Sequence, residues 1–368
     1  MAFARAVRRK SDLQFAFEHH SIDPTALSRR QLARLLQALH SQDGMEAWKL
    51  AWLGREVVNR LIFKGSPAAL RSAIEIALQP PEYDAVSLTE RLVGCVRPAG
   101  LRQLIAECDS KAETRDLAAL LLHTAIVAGE SWTSDVTAQR IQRRLRRAGH
   151  PWGSLPLQLE PTESTLPEQM PMMAPSGARV RAVEDSRCFT APNGPGCEED
   201  SSSPHRILET TSDHLVRDLT RWCEPGVSNW VFEARSFNVG ATTRITAGLL
   251  SQLVLECAAG AAPAQFQCRT ATARDVIHLL FEMAAFGGAY GLHRGAPDGR
   301  VLTWRTLAAL VGASRWLPAT VMQKAHRYQF ASFIVPSSSF WFDVAWDYGI
   351  AALGPRGRLV VLAASDTD

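Results

Sequence analysis

The chain reads as an all-helical domain over residues 1–150 followed by an α/β domain over residues 205–368 with a small, largely parallel sheet. Three observations predict this. Apolar residues recur every three or four positions through 28–147, and no strand-like run interrupts them. Strand-like and helix-like runs alternate after residue 230. Between the two, residues 151–204 are dominated by Pro, Ser, Glu and Gly, as in Pro161-Thr162-Glu163-Ser164. That composition offers too little apolar surface to offset the entropy of ordering, and it predicts a disordered linker.

The helical elements follow in order. Ser28 can cap a segment with Leu32, Leu35, Leu36 and Leu39 on one face. From Glu46 to Phe63 the pattern is apolar over much of the circumference, with Trp48, Trp52, Val58, Leu61 and Ile62, so this helix is expected to be buried on more than one side. Ser66-Pro67 is an N-cap with proline at the first helical position, and Leu70, Ile74 and Leu78 follow. Ser87-Leu88-Thr89-Glu90 is a capping box. Pro98 opens a helix with Leu101, Leu104 and Ile105, and Leu117, Leu120, Leu121, Thr124 and Val127 line another. Short helices in series suggest a stacked, HEAT-like array or a non-repeating bundle.

In the C-terminal half, Trp230–Phe237 reads as a strand and Thr242–Ala258 as a helix with Leu249, Leu250, Leu253, Val254 and Cys257 inward. Gln265–Thr270 is a strand, and Thr272 to Asp275 cap a helix carrying Val276, Ile277, Leu280 and Met283. Helices follow near Val301–Val311 and Pro318–His326, then a strand over Tyr328–Val335, a helix over Phe340–Leu353 and an apolar strand over Arg358–Ala364. A strand apolar on both faces belongs inside a covered sheet. Helical crossovers favour parallel pairing.

Bulk properties narrow the function classes. At 46% hydrophobic and 21% charged, the chain can bury a core without staples. The net charge of +3 is too small to argue for nucleic acid by itself. No apolar run is long enough to span a bilayer, so no membrane association is expected. Seven cysteines without a CxxC pair point to a reducing compartment, and the cytoplasm is the expected location. No nucleophile elbow, HExxH or dinucleotide fingerprint is present, so no cofactor is implied.

Several constellations could carry chemistry. The carboxyl ends of parallel strands are the usual ligand edge of an open sheet. Here they would gather Asn238, Thr242, Thr243 and Arg244, then Thr272, Arg274 and Asp275, then Ser337, Ser338, Ser339 and Asp343, and finally Asp366 and Asp368. Asp275, Asp343, Asp366 and Asp368 could hold a hard cation, and Arg244 or Arg274 an anion. The competing reading is that these residues cap helices or end in a solvated tail. Phe286 to Gly291 is glycine-rich but follows a helix, which favours a C-cap over a phosphate loop. Arg140, Arg143, Arg144, Arg146 and Arg147 form a basic stripe that could meet RNA or an acidic partner, or simply complement the helix dipole. Cys188, Cys197, His205 and His214 are spaced too irregularly for a structural zinc site. Cys223 or Cys257 with His278 or His326 would be a thiol–imidazole pair only if folding brought them together.

Gly287-Gly288-Ala289-Tyr290-Gly291, Trp304-Arg305-Thr306-Leu307-Ala308, Trp341-Phe342-Asp343, Trp346-Asp347 with Gly349-Ile350-Ala351-Ala352, and the ending Ala364-Ser365-Asp366-Thr367-Asp368 carry a resemblance. Over roughly residues 230–368 the chain resembles an uncharacterised bacterial domain-of-unknown-function family. That resemblance implies no activity and transfers no catalytic residue. The expected role is therefore a binding or interaction protein with a protein partner. The alternatives are a metal- or anion-dependent enzyme at the sheet edge and RNA binding through Arg140–Arg147.

Overall fold

The computed structural model describes residues 47–78, 84–170, 172–173, 179–180, 197, 207–210, 230–240, 243–286, 294–342 and 347–366. They fall into two compact units, residues 1–125 with 171–182 and residues 126–170 with 183–368.

The first unit is helical, as its periodicity predicts. Helix α1 (Ala47–Lys64) buries Val57, Val58, Leu61 and Ile62. Helix α2 (Pro67–Ala77) starts at Ser66, whose hydroxyl accepts from the Ala69 amide, and buries Leu70 and Ile74. Helix α3 (Ala85–Cys95) begins one turn before the expected capping box. Asp84 is the cap, accepting from the Val86 and Ser87 amides. Helix α4 (Pro98–Ser110) opens on its proline, and helix α5 (Arg115–Val127) buries all five residues of its predicted face. The Ser28 segment lies outside the described residues.

The second unit is built on a six-stranded sheet, and the sheet is antiparallel throughout, not largely parallel as expected. Its strands are β3 (Leu208–Glu209), β4 (Trp230–Asn238), β5 (Gln267–Ala271), β6 (Gln329–Ile334), β7 (Asp347–Leu353) and β8 (Arg358–Asp366), in the order β3-β4-β8-β7-β6-β5. Two-residue strands β1 (Met172–Met173) and β2 (Arg179–Val180) pair separately in the first unit.

The correction traces to β7, expected to be helical over 340–353. Every residue of β7 is buried, so neither a period of two nor one of 3.6 is visible in its sequence. Gly349 decides the pairing. A Cβ there would lie 2.3 Å from the Phe333 carbonyl oxygen, so the glycine lets β7 approach β6. At the other end a turn at Gly354–Gly357, with Gly357 at φ 77°, closes β7 onto β8 as a hairpin. Trp341 and Tyr348, seven residues apart and so on one face of a helix over 340–353, belong instead to opposite faces of the sheet.

Alternation along the strands divides the core in two. Val360, Leu362 and Ala364 with Tyr348, Ile350 and Ala352 face helices α9 (Ala273–Phe286), α10 (Ala296–Leu310) and α11 (Pro318–Ala325). Leu359, Val361 and Ala363 with Ala351 and Leu353 face the layer around the short helix α8 (Ala247–Ser251). The helix expected over 242–258 is confined to that one turn, and Val254, expected inward, is 74% exposed.

Residues 151–170, expected to belong to the linker, are folded. They hold 3₁₀ turns at Pro151–Ser154 and Pro161–Glu163 and the short helix α7 (Leu166–Gln169). The reason is one carboxylate. Glu163 is fully buried and receives Nε and Nη2 of Arg300 at 2.6 and 2.7 Å, the Trp304 indole N–H at 2.7 Å and the Glu160 amide at 2.8 Å. The same guanidinium donates to the carbonyls of Pro156 and Gln158 at 3.1 and 2.8 Å. Arg300 and Trp304 lie on α10. A polar segment is thereby held on the apolar layer, with both charges of the ion pair well supplied with partners.

Truncating one partner leaves the other buried and uncompensated. Glu163→Ala is expected to cost about 3–5 kcal/mol in urea unfolding. The double variant Glu163→Leu with Arg300→Met should recover part of that loss, because no charge is then left unpaired.

Candidate functional site

The ligand edge expected from a parallel sheet is split by the antiparallel one. Ala271, the last residue of β5, shares a row with Phe330, Ala352, Val360 and Ser236. Asn238 ends β4, and Thr243, Arg244, Arg274 and Asp275 follow the strands ending on that side. Asp366 pairs with Trp230 at the other end, six positions further along β8, about 20 Å at strand rise. The strand that leads to Ser337, Ser338 and Ser339, β6, also ends on the Asp366 side. Asp343 and Asp368 lie outside the described residues, as do Thr242 and the glycine-rich 287–291.

Arg274 and Asp275 are accounted for by local structure. The Asp275 carboxylate accepts from the Thr272 amide and hydroxyl at 2.7 and 2.8 Å, and the Asp275 amide donates to the Thr272 hydroxyl at 3.2 Å, a reciprocal cap at the start of α9. Arg274 donates to the Pro161 carbonyl at 3.3 Å. At the other end Ser365 donates to Asp347 at 2.5 Å and accepts from the Phe342 amide at 3.2 Å. Asp347 and Ser365 are both buried, so this pair pins the entry to β7. Asp347 was absent from the expected site because it was placed within a helix.

The cysteine readings also change. Cys197 is bonded to Cys268, so it cannot serve in a zinc set with Cys188, His205 and His214, which lie outside the described residues. Cys223 lies outside them too. Cys257 belongs to the α8 side of the sheet, whereas His278 lies on α9 on the other side, so the two do not form a dyad. Burial and the neighbouring Glu233 push the Cys257 thiol far up. Burial likewise pushes Cys108 up to about 11, which leaves little thiolate at neutral pH. Among the described residues no group of three or more His, Cys, Asp and Glu side chains could hold a metal ion.

Two features of the described surface have the form of a binding site. The first is the basic helix α6 (Val136–Arg147), which groups with the second unit. Asp135 caps it by accepting from the Ala138 amide at 2.8 Å, and Ala138, Ile141, Gln142 and Leu145 are its buried side. At 100° per residue, Arg140, Arg143, Arg144 and Arg147 fall on the opposite side. Arg140, Arg143 and Arg147 are exposed and Arg144 is half-buried. Arg146 lies off this face, and its Nε donates to the Gly153 carbonyl at 3.2 Å. The helix is rigidly mounted. Gln142 Nε2 donates to the carbonyls of Trp152, Gly153 and Leu155 at 3.2, 3.0 and 2.5 Å. A Cβ on Gly153 would lie 2.4 Å from the Arg146 amide nitrogen, so glycine is what allows this approach.

The second is a cavity of about 320 Å³ in the helical unit. Ile74, Leu78 and Leu104 supply its apolar wall, and Arg71, Glu107 and Lys111 its charged rim. Arg71 on α2 reaches Glu107 on α4 at 3.4 Å. The sequence reading did not single out this cavity, because its residues come from helices whose pairing it could not order.

A family model matches residues 26–368, nearly the whole sequence, including the helical half that the resemblance over 230–368 left out. The chain belongs to DUF6183, a family of unknown function. No curated protein and no solved structure matches this DUF6183 chain. No helix among its described residues is long and apolar enough to cross a membrane.

Two measurements follow from the site. Asp275→Ala should destabilise the protein by about 0.5–2 kcal/mol, the cost of a lost cap. His278 is a second probe. Burial lowers its pKa, with Glu282, Asp275 and Glu168 opposing the shift. The folded state therefore favours the neutral ring, and this stabilisation is complete above the ordinary histidine range. It is lost as the pH falls through that range toward the lower folded value. His278→Gln should flatten the decline in melting temperature between about pH 7 and 5.

Proposed function

We propose that this DUF6183 protein is a binding protein and that the arginine face of α6 is the docking surface for an acidic polypeptide segment. The observation that carries the reading is the placement of Arg140, Arg143, Arg144 and Arg147 on the side of α6 opposite its buried residues. The exposed guanidinium groups of Arg143 and Arg147 suit carboxylates, which arginine can bind bidentately. The size of the stripe favours a polypeptide over nucleic acid. From Arg140 to Arg147 it runs seven residue steps, about 10 Å of helix, whereas recognition of nucleic acid needs a longer basic footprint along the phosphates. The net charge of only +3 agrees with a local surface. Its rigid mounting through Gln142 and Gly153 reduces the ordering cost of binding. A cytoplasmic setting belongs to the same proposal, supported by the free cysteines Cys95, Cys108 and Cys257 and opposed by the Cys197–Cys268 disulfide.

The test is fluorescence anisotropy with a labelled Glu/Asp-rich peptide and, beside it, a labelled RNA of similar charge. The wild type is expected to bind the peptide more tightly, with affinity falling as salt rises. Arg143→Glu with Arg147→Glu should weaken peptide binding roughly tenfold or more, about 1.4 kcal/mol, without lowering the melting temperature. Peptide binding that ignores the charge reversal would sink the reading, and preferential binding of RNA would replace it with the nucleic-acid one.

A further inference from the structure

The cavity of about 320 Å³ in the helical unit is lined entirely by described residues. Two stripes at helical spacing form its walls. Arg71, Ile74 and Glu75 on α2, with Leu78 just past its end, make the first. Leu104, Glu107 and Cys108 on α4, with Lys111 just past its end, make the second. A 3₁₀ turn at Ala112–Thr114 adds Glu113 to the lining. The Thr114 hydroxyl donates to the Cys108 carbonyl at 2.7 Å and the Thr114 amide to the Lys111 carbonyl at 3.3 Å, so this turn fixes where Lys111 stands. Each stripe thus carries a cation and a carboxylate four residues apart, about 5–6 Å on a helix surface, beside apolar side chains. Burial pushes the Cys108 thiol up to about 11, so at neutral pH it is uncharged and adds to the apolar wall. The charges remain available. Arg71 meets Glu107 at 3.4 Å, but 45% and 28% of their side chains are exposed, and so open a pair is worth little by itself. Glu75 is half-buried, and Lys111 and Glu113 are exposed.

We propose that this cavity binds a free α-amino acid with an apolar side chain. It is a second site, in the other unit from the arginine face, and it does not rest on that reading. The charges select the class of ligand. The lining sets three carboxylates, Glu75, Glu107 and Glu113, against the two cations Arg71 and Lys111. The carboxylates repel a phosphorylated ligand or any other polyanion, and the two cations disfavour a polyamine. One ammonium and one carboxylate on a small body satisfy both signs. Glu75 and Glu107 receive the ammonium, Lys111 and Arg71 receive the carboxylate, and Ile74, Leu78 and Leu104 cover the apolar side chain. The volume agrees. It lies at the lower end of the range of small-molecule sites, about 300–1,000 Å³, which suits a molecule of amino-acid size.

The experiment is isothermal titration calorimetry of the full chain with L-leucine and L-phenylalanine. Beside them run two leucine analogues that each lack one charge, isoamylamine without the carboxylate and isocaproate without the ammonium. Leucine should bind roughly tenfold more tightly than either analogue. Lys111→Met should weaken leucine binding roughly tenfold and leave isoamylamine unchanged, because that analogue has no carboxylate for Lys111 to meet. Glu75→Gln should weaken leucine and isoamylamine alike and leave isocaproate unchanged. Lys111 is exposed, so Lys111→Met should keep the wild-type melting temperature and read the site alone. Absence of binding by both amino acids at millimolar concentration overturns the proposal. An analogue that binds as tightly as leucine overturns it too, and assigns the cavity to a plain amine or a plain carboxylate.

Discussion

The ion pair of Glu163 with Arg300 is the constraint on which the placement of residues 150–170, and through them the mounting of α6, depends. Each partner is at most 1% exposed, a position that a carboxylate or guanidinium holds only with its hydrogen-bonding capacity filled. The Glu163 carboxylate meets four donors, and the guanidinium meets two carbonyls besides. The pair is better understood as a specifier of position than as a source of net stability, since a well-packed apolar replacement is often neutral or better. What it specifies is where residues 150–170 lie. Those residues in turn supply the carbonyls that receive Gln142 and the glycine that α6 packs against. The arginine face is thus tied to the α/β layer through a chain of contacts that starts at one buried carboxylate.

Where the sequence was legible, one face was buried and the other wet. The faces of α2 and α4 and the strand positions of β4 and β5 follow from that contrast. Legibility failed where the contrast vanishes. Asp347–Leu353 is buried on both sides, and the aromatic residues before it happen to fall at helical spacing. Only Gly349, with its close approach to Phe333, carried a strand signal, and a lone glycine in an apolar run is weak. That single misreading inverted the sheet, because turning β7 into a strand replaces a helical crossover to β8 with a hairpin.

Composition misled in a second way. Pro161-Thr162-Glu163-Ser164 has the makings of a linker, and its acidic residue is the one that organises the segment. Its partner lies 137 residues away, a separation at which no local pattern can reveal a pair. The expected sheet-edge site failed for a related reason. Its residues were gathered by assuming all strands run one way, and an antiparallel order sends Arg274 and Asp275 to one end and Asp366 to the other. The basic stripe survived as a surface because it needed only helical periodicity within twelve residues.

A carboxylate that positions a segment leaves a local signature when it is neutralised, and hydrogen exchange in a Glu163→Gln variant measures it directly. Loss of the clamp should raise exchange through residues 150–170 and into α6, while the amides of β7 and β8 keep their protection. Unchanged exchange in 150–170 would contradict the account, because the segment would then be held by something other than the buried pair. Uniform loss of protection across the sheet would contradict it as well, since the pair would then support the whole unit and not the mounting of the arginine face.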